Sequence, residues 1–500
     1  MATAVQPDET STFTSLNPAN GEVVGEFPAM DASAVHAAVD RAHEAATWWS
    51  GLTPKQRRSR LMAWKARLVQ GMEELAGLVH RETGKPAEDA LLEIILAVVH
   101  LDWAAKNAHR VLRSRRVPGG IIAMNMKATV EYQPLGVVGV IGPWNYPVFT
   151  PMGSIAYALA AGNAVVFKPS EYTPAVGKWI VDSFADATGG HPVLQLVTGK
   201  GATGAALAGA DVGKIAFTGS AATAKKVMAA CAERLTPIVA ECGGKDAFIV
   251  DADADLDAAA DAAVWGAMSN AGQTCVGVER IYVVEGVYDA FVAKLTAQAE
   301  HLSPGDGERA SYGPITMPSQ LTIIERHIDD ALARGATALV GGKGSVRAPY
   351  VDPVVLADVP EDSAAVTEET FGPTITVAKV RDADEAVRRA NAGSYGLAGT
   401  VFAGQARRAR EIARRMRSGM TAINSVISFA SIPALPFGGV GESGFGRIHG
   451  ADGLREFTRP KAISALRFTL PGTNLTSFNR GAGDVKRVVG MVRLLHGRGR

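Results

Sequence analysis

Leu135-Gly136-Val137-Val138-Gly139-Val140-Ile141-Gly142-Pro143-Trp144-Asn145-Tyr146-Pro147 lies inside a run, Tyr132 to Phe167, that carries no charged residue. An uncharged run of that length could cross a bilayer. The breaks at Gly142-Pro143, Pro147, Pro151 and Gly162-Asn163 exclude it, because backbone freed at each would face lipid without a partner. The run therefore reads as a buried strand, a rigid loop, a helix and a second buried strand.

That pattern continues downstream. Short apolar runs at Leu135–Ile141, Ala164–Lys168, Val193–Thr198, Lys214–Thr218 and Pro237–Ala240 alternate with helical stretches at Pro151–Ala161, Ala175–Thr188 and Ala221–Ala232. Strand–helix alternation is the mark of a parallel, doubly wound sheet. A second such series follows Ala247, with strands at Phe248–Val250, Arg280–Val284, Thr337–Val340 and Gly399–Phe402. The expected architecture is thus α/β: two doubly wound units meeting near Gly243-Gly244.

Upstream, Asn17-Pro18-Ala19-Asn20-Gly21 reads as a hairpin turn. Helices are expected from Asp31 to Trp48, from Pro54 to Thr83 and from Glu88 to Ala108, and a strand pair over Gly119–Gln133. The tail from Asp484 to Arg500 spaces Val485, Val488, Val489, Val492 and Leu495 helically among basic residues. Such a segment packs on its own protein or makes weak contact with an anionic membrane surface.

The bulk numbers bound the function. Five hundred residues exceed one core, and a net charge of +1 from 51 basic and 50 acidic residues argues against nucleic acid as a partner. Three cysteines are no disulfide framework, and Met1 to Thr12 has no apolar signal-peptide core, so a cytoplasmic protein is expected.

Cys275, in Asn270-Ala271-Gly272-Gln273-Thr274-Cys275-Val276-Gly277, sits among small and polar residues just before an alternating strand. A thiol at such a turn is a candidate nucleophile, although an isolated cysteine is more often a small buried packing residue. Glu241, at a strand end beside Gly243-Gly244, suits a general base or a mere cap. Asn145, held between Pro143 and Pro147, offers an amide to a developing oxyanion or closes an Asx turn.

Gly219-Ser220 at the start of a helix suits a phosphate, and Lys168 with Glu171 suits an adenosine ribose. Glu369 can hold a second ribose, and the Phe371 ring can pack on a nicotinamide. Gly199-Lys200-Gly201-Ala202-Thr203-Gly204 spells a dinucleotide fingerprint, but the next strand ends in Phe217-Thr218-Gly219 without the acid that motif needs. No metal-ligand pattern stands out.

Taken together and in this order, these motifs and the glycine-dense Pro436–Arg447 loop resemble the aldehyde dehydrogenase superfamily, from about Asn17 to Phe468. The resemblance implies oxidation of an aldehyde to a carboxylic acid. It makes Cys275 the nucleophile, Glu241 the general base and Asn145 an oxyanion donor. Lys168, Glu171, Gly219, Ser220, Glu369 and Phe371, with Ile141 and Trp144, would bind the cofactor. That cofactor is NAD by preference, since Glu171 would repel a 2′-phosphate, with NADP possible.

The implied organisation is a cofactor domain at 1–118 and 135–242, a catalytic domain at 243–440, and an oligomerisation element at 119–134 and 460–470 with its late strand at Ala462–Phe468. The basic tail covers 484–500. A homodimer or homotetramer follows. Cys242 replaces a leucine common in the family; it would either pack or form a reversible disulfide with Cys275.

Two chemistries compete with hydrolysis of a cysteine thioester. A CoA-acylating relative would generally lack the acid at Glu241, and a cysteine hydrolase would want a histidine, which no motif supplies. A non-catalytic role would not require Cys275, Glu241 and Asn145 together. The Val148-Phe149-Thr150 segment and the Val426–Pro436 loop would line the aldehyde tunnel. The loop has no basic residue, which favours apolar aldehydes over carboxylate-bearing ones.

Overall fold

The computed structural model describes residues 11–497 apart from 121, 308 and 470–474. The expected readings at Met1–Glu9, Arg498 and Arg500 lie outside the described residues.

Val137–Ile141 is a central strand of a six-stranded sheet. Ala164–Lys168 and Leu194–Leu196 lie on one side of it; Lys214–Gly219 and Ile238–Cys242 lie on the other, all parallel. Gly444–Phe445, from the glycine-dense loop, closes the edge antiparallel to Ala240 and Glu241. The helix Phe149–Ala161 is almost wholly buried, because it carries no charge and packs on Ala87–Val111 as well as on the sheet. The uncharged run is thus a core segment, and no described helix is long and apolar enough to cross a membrane.

The second sheet has seven strands: Thr337–Val340, Val354–Ala357, Thr374–Val380, Val278–Val284, Asp246–Val250, Gly399–Phe402 and Ala422–Ile423, in that spatial order. Only the first of these pairs antiparallel. The chain passes from one sheet to the other between Cys242 and Asp246. A third sheet joins Thr458–Leu466 to Met126–Pro134 and Met126–Pro134 to Arg115–Val117.

Several expectations need correction. The helix expected from Pro54 to Thr83 is two helices, Pro54–Gln70 and Met72–Thr83. They part at Gly71, where a Cβ would lie 2.5 Å from the Trp179 ring. Continuous helical periodicity concealed a glycine used for close packing. The strand pair expected over Gly119–Gln133 is Arg115–Val117 with Met126–Pro134, so it begins earlier than expected. The late strand is Thr458–Leu466 rather than Ala462–Phe468, fixed by pairing with Met126–Pro134. The glycine-rich 199–204 segment opens a helix, Gly201–Gly209, that the sequence reading omitted; Thr203 there bonds the Met30 carbonyl at 2.7 Å, a packing contact.

The tail forms a helix, Asp484–His496, with Val485, Val489, Leu494 and Leu495 exposed.

Candidate active site

Parallel strands deliver their carboxyl ends to one edge, where α/β folds bind ligands. In the six-stranded sheet, Ile141 pairs with both Lys168 and Phe217, and Gly219 pairs with Cys242. The nucleotide candidates are therefore neighbours. Lys168 Nζ donates to the Pro169 carbonyl at 3.0 Å and lies 3.8 Å from Glu171. Ser220 caps the helix Ala221–Ala232 by accepting from the Thr223 N–H. The first-turn N–H groups of Ala221 and Ala222 have no carbonyl of their own helix to bond. Trp144 meets the Phe371 ring edge-on at 5.5 Å.

The Cys275 turn is built under strain. Asn270, Ala271 and Gly272 have φ of 53°, 56° and 70°. Left-handed backbone costs a non-glycine residue about 1 kcal/mol. A web of amides holds it: Asn270 donates to the carbonyls of Asn145 and Gln273 at 3.1 Å, and Gln273 donates to Asn270 and Pro314. Asn145 joins through its own amide, which donates to the Gln273 carbonyl at 2.9 Å. Asn145 is thereby tied to the turn two residues ahead of Cys275.

Glu241 and Cys242 end the strand Ile238–Cys242 of the first sheet, and Gly243-Gly244 follows directly. A Cβ at Gly244 would lie 2.8 Å from the Cys275 carbonyl, and one at Gly243 would overlap the Glu369 carboxylate. These two glycines bring Glu241, Glu369 and Cys275 together. Glu369 accepts from the Gly244 N–H at 3.1 Å.

Cys275, Glu241, Cys242 and Thr218 line one cavity of about 360 Å³. The remaining wall is chiefly apolar, with Leu92, Phe149, Trp265, Val426, Ile427 and Phe437 among its residues. Cys242 and Cys275 are both free thiols.

The charge balance around the thiol is acidic. Burial pushes the Cys275 thiol up, and Glu369, Asp246 and Glu241 add to the shift. Burial raises the Glu369 carboxyl to about 8, with Glu279 reinforcing it. Glu241 is raised well above the usual carboxylate range by burial, against an opposing pull from Arg447. Neither of its carboxylate oxygens has a hydrogen-bond partner among the described residues.

One support escaped the sequence reading. Lys85 and Glu93 form an ion pair at 2.6 Å, both side chains fully buried. Lys85 also donates to the Asn145 carbonyl at 2.9 Å and lies over the Tyr146 ring. Glu93 accepts from the Val148 and Phe149 N–H groups. The pair fixes both ends of the Asn145–Phe149 loop. Two opposite charges eight residues apart in sequence are commonplace; only the fold shows that water is excluded from them. Lys85→Met, which leaves Glu93 unpaired, should lower stability by about 3–5 kcal/mol, read as a fall in the urea midpoint. Lys85→Met with Glu93→Leu should cost less than Lys85→Met alone.

The family model for the aldehyde dehydrogenase family matches residues 5–463. The chain belongs to that family. This aldehyde dehydrogenase is 37% identical over 463 residues to the 4,4'-diapolycopene aldehyde oxidase of a Methylomonas species, covering 92% of this chain and 87% of the relative. It is 38% identical to a probable NADP(+) succinate-semialdehyde dehydrogenase of Sinorhizobium fredii, covering 90% of this chain and 92% of that one. Among solved structures, an NAD-dependent aldehyde dehydrogenase from Sinorhizobium meliloti superposes with a TM-score of 0.88 at 33% identity, over 93% of each chain.

Proposed function

We propose that this aldehyde dehydrogenase oxidises uncharged, largely apolar aldehydes to carboxylic acids with NAD, through a thioester on Cys275 that water hydrolyses. The observation that carries the reading is the convergence of Cys275 and Glu241 on one mainly apolar cavity, with Asn145 bonded to the Cys275 turn.

In this reading the Cys275 thiol gives up its proton to water, the thiolate adds to the aldehyde carbon, and the resulting alkoxide accepts from the second Asn145 amide N–H and from the Cys275 N–H. A nicotinamide held by the residues below would supply the hydride acceptor when the alkoxide collapses to the thioester. Glu241 then takes a proton from water, which attacks the thioester and releases the acid. Neither of its oxygens is engaged by another group among the described residues, which suits that water.

The chain's residues fit a dinucleotide. Lys168 and Glu171 offer a donor and an acceptor to a ribose diol, and the start of the helix Ala221–Ala232 suits a pyrophosphate. The surplus of carboxyls beside Cys275 suits a ring that carries positive charge.

Glu171 supports NAD over NADP, since its carboxylate would face a 2′-phosphate. Some relatives carry NADP(+) in their names. Glu171→Ser should raise the NADP-to-NAD ratio of kcat/KM by roughly 10- to 100-fold.

Substrate class follows from charge. Among the described residues the only cation lining the cavity is Lys85, already paired with Glu93, and Asp89 and Glu93 line the same cavity. A carboxylate tail would meet repulsion there. The third sheet, whose strand Thr458–Leu466 is largely exposed, supports assembly of subunits through its free edge.

The test is reduced-nicotinamide absorbance with aliphatic, aromatic and carboxylate-bearing aldehydes. Higher kcat/KM for the uncharged members is expected. A clear preference for the carboxylate-bearing members would overturn the substrate class.

A further inference from the structure

Two histidines, one in the cavity wall and one packed behind it, are not used by the reaction above. His100, from the helix Ala87–Val111, and His449, just after the glycine-dense loop, are each 1% exposed, with ring centroids 4.0 Å apart. His100 Nε2 bonds the Ala430 carbonyl at 2.9 Å, which leaves its Nδ1 without a partner among the described residues. His449 lines the cavity, and neither of its ring nitrogens has a partner there. Leaving a buried donor or acceptor unsatisfied is destabilising.

The surroundings make an imidazole an expensive choice. Phe149, Tyr157 and Phe437 pack around His449 with centroids at 5.4–5.6 Å, so a phenylalanine or leucine would serve packing alone. The His449 backbone has φ 63° and ψ 164°, a region populated almost solely by glycine. The helix opposite is bare where the ring lies: a Cβ at Gly153 would come within 2.5 Å of His449 Nε2. Strain, orphaned nitrogens and a cleared space coincide at one side chain in the cavity wall.

Burial keeps both rings neutral. It pushes His100 down to about 4, and with His100 as neighbour it drives His449 well below the ordinary histidine value. A neutral imidazole offers one donor and one acceptor and no charge. It therefore suits an uncharged polar group rather than a carboxylate.

We propose that His449, braced by His100, is a specificity-determining residue that hydrogen-bonds an uncharged polar group, a hydroxyl or a carbonyl, carried along the chain of an otherwise apolar aldehyde. This rests on the Cys275 cavity being the aldehyde site.

The experiment uses matched aldehydes of equal chain length, unsubstituted or bearing a hydroxyl, a keto group or a terminal carboxylate at successive positions. kcat/KM is measured for wild type, His449→Leu and His449→Gln. Wild type should favour the hydroxyl or keto member at one position by about tenfold, with the gain in KM. The ratio should fall to near unity in His449→Leu and survive in part in His449→Gln. No preference at any position in wild type, a measurement that needs no variant, would overturn the proposal. So would an undiminished preference in His449→Leu, or a wild-type preference for the carboxylate. Failure to oxidise any aldehyde while NAD still binds would instead sink the reading of the cavity itself, and this proposal with it.

Discussion

Cys275→Ala should abolish aldehyde oxidation, by at least about 10⁴-fold in kcat/KM, while nucleotide binding is retained. Among the described residues Cys275 is the one thiol that is not fully buried. Removing sulfur leaves the backbone web intact, because Asn145, Asn270 and Gln273 bond one another through amides and carbonyls rather than through the thiol. The variant should therefore fold as wild type does, and loss of activity reports chemistry. In wild type, alkylation of Cys275 by iodoacetamide in the free protein should be slow at neutral pH. It should climb about tenfold per pH unit, because burial and nearby carboxyls hold the thiol protonated. Substantial turnover by Cys275→Ala would move the nucleophile elsewhere.

Glu241→Gln should split the reaction rather than erase it. Cysteine addition and oxidation need no base at Glu241, so a first turnover should still release about one reduced nicotinamide per site. Hydrolysis should then fall by roughly 10²–10⁴-fold, which leaves the acyl group on Cys275, visible by mass spectrometry. The pH behaviour follows from burial. Glu241 titrates well above the ordinary value in the folded protein, so the base form grows as pH rises, and hydrolysis-limited turnover should rise with it. Glutamine should flatten that rise.

Stability should move the opposite way. A carboxyl with a raised folded-state pKa holds its proton more tightly when folded. Its contribution is least unfavourable below the unfolded value and worsens as pH climbs above it. Glu241→Gln should accordingly be more stable than wild type at pH 8, with the gap closing toward pH 4, as read from denaturant midpoints. Equal loss of the first and later turnovers would show that Glu241 acts before hydrolysis.

Much of this was legible in the chain. Glycine and proline breaks within the uncharged run removed the membrane reading, and strand–helix alternation implied parallel sheets, because both depend on local backbone rules. The order of short motifs was enough to suggest the family, since each motif lies within a few residues of a strand end. Element limits were less legible. Gly71 interrupts an unbroken periodicity because Trp179, more than 100 residues later in the chain, occupies the space a side chain would need. The ends of Thr458–Leu466 were set by a partner strand, not by its own residues.

The sequence by itself determined that one parallel sheet delivers Ile141, Lys168, Gly219 and Glu241 at or beside its strand ends, because alternation and strand termini are local properties. Tertiary structure alone decided which side chains lose water. It buried Lys85 against Glu93, left Glu241 without a partner among the described residues, and set His100 behind His449 at the cavity wall. Desolvation belongs to a place in the packed molecule, and residues hundreds of positions apart create it together.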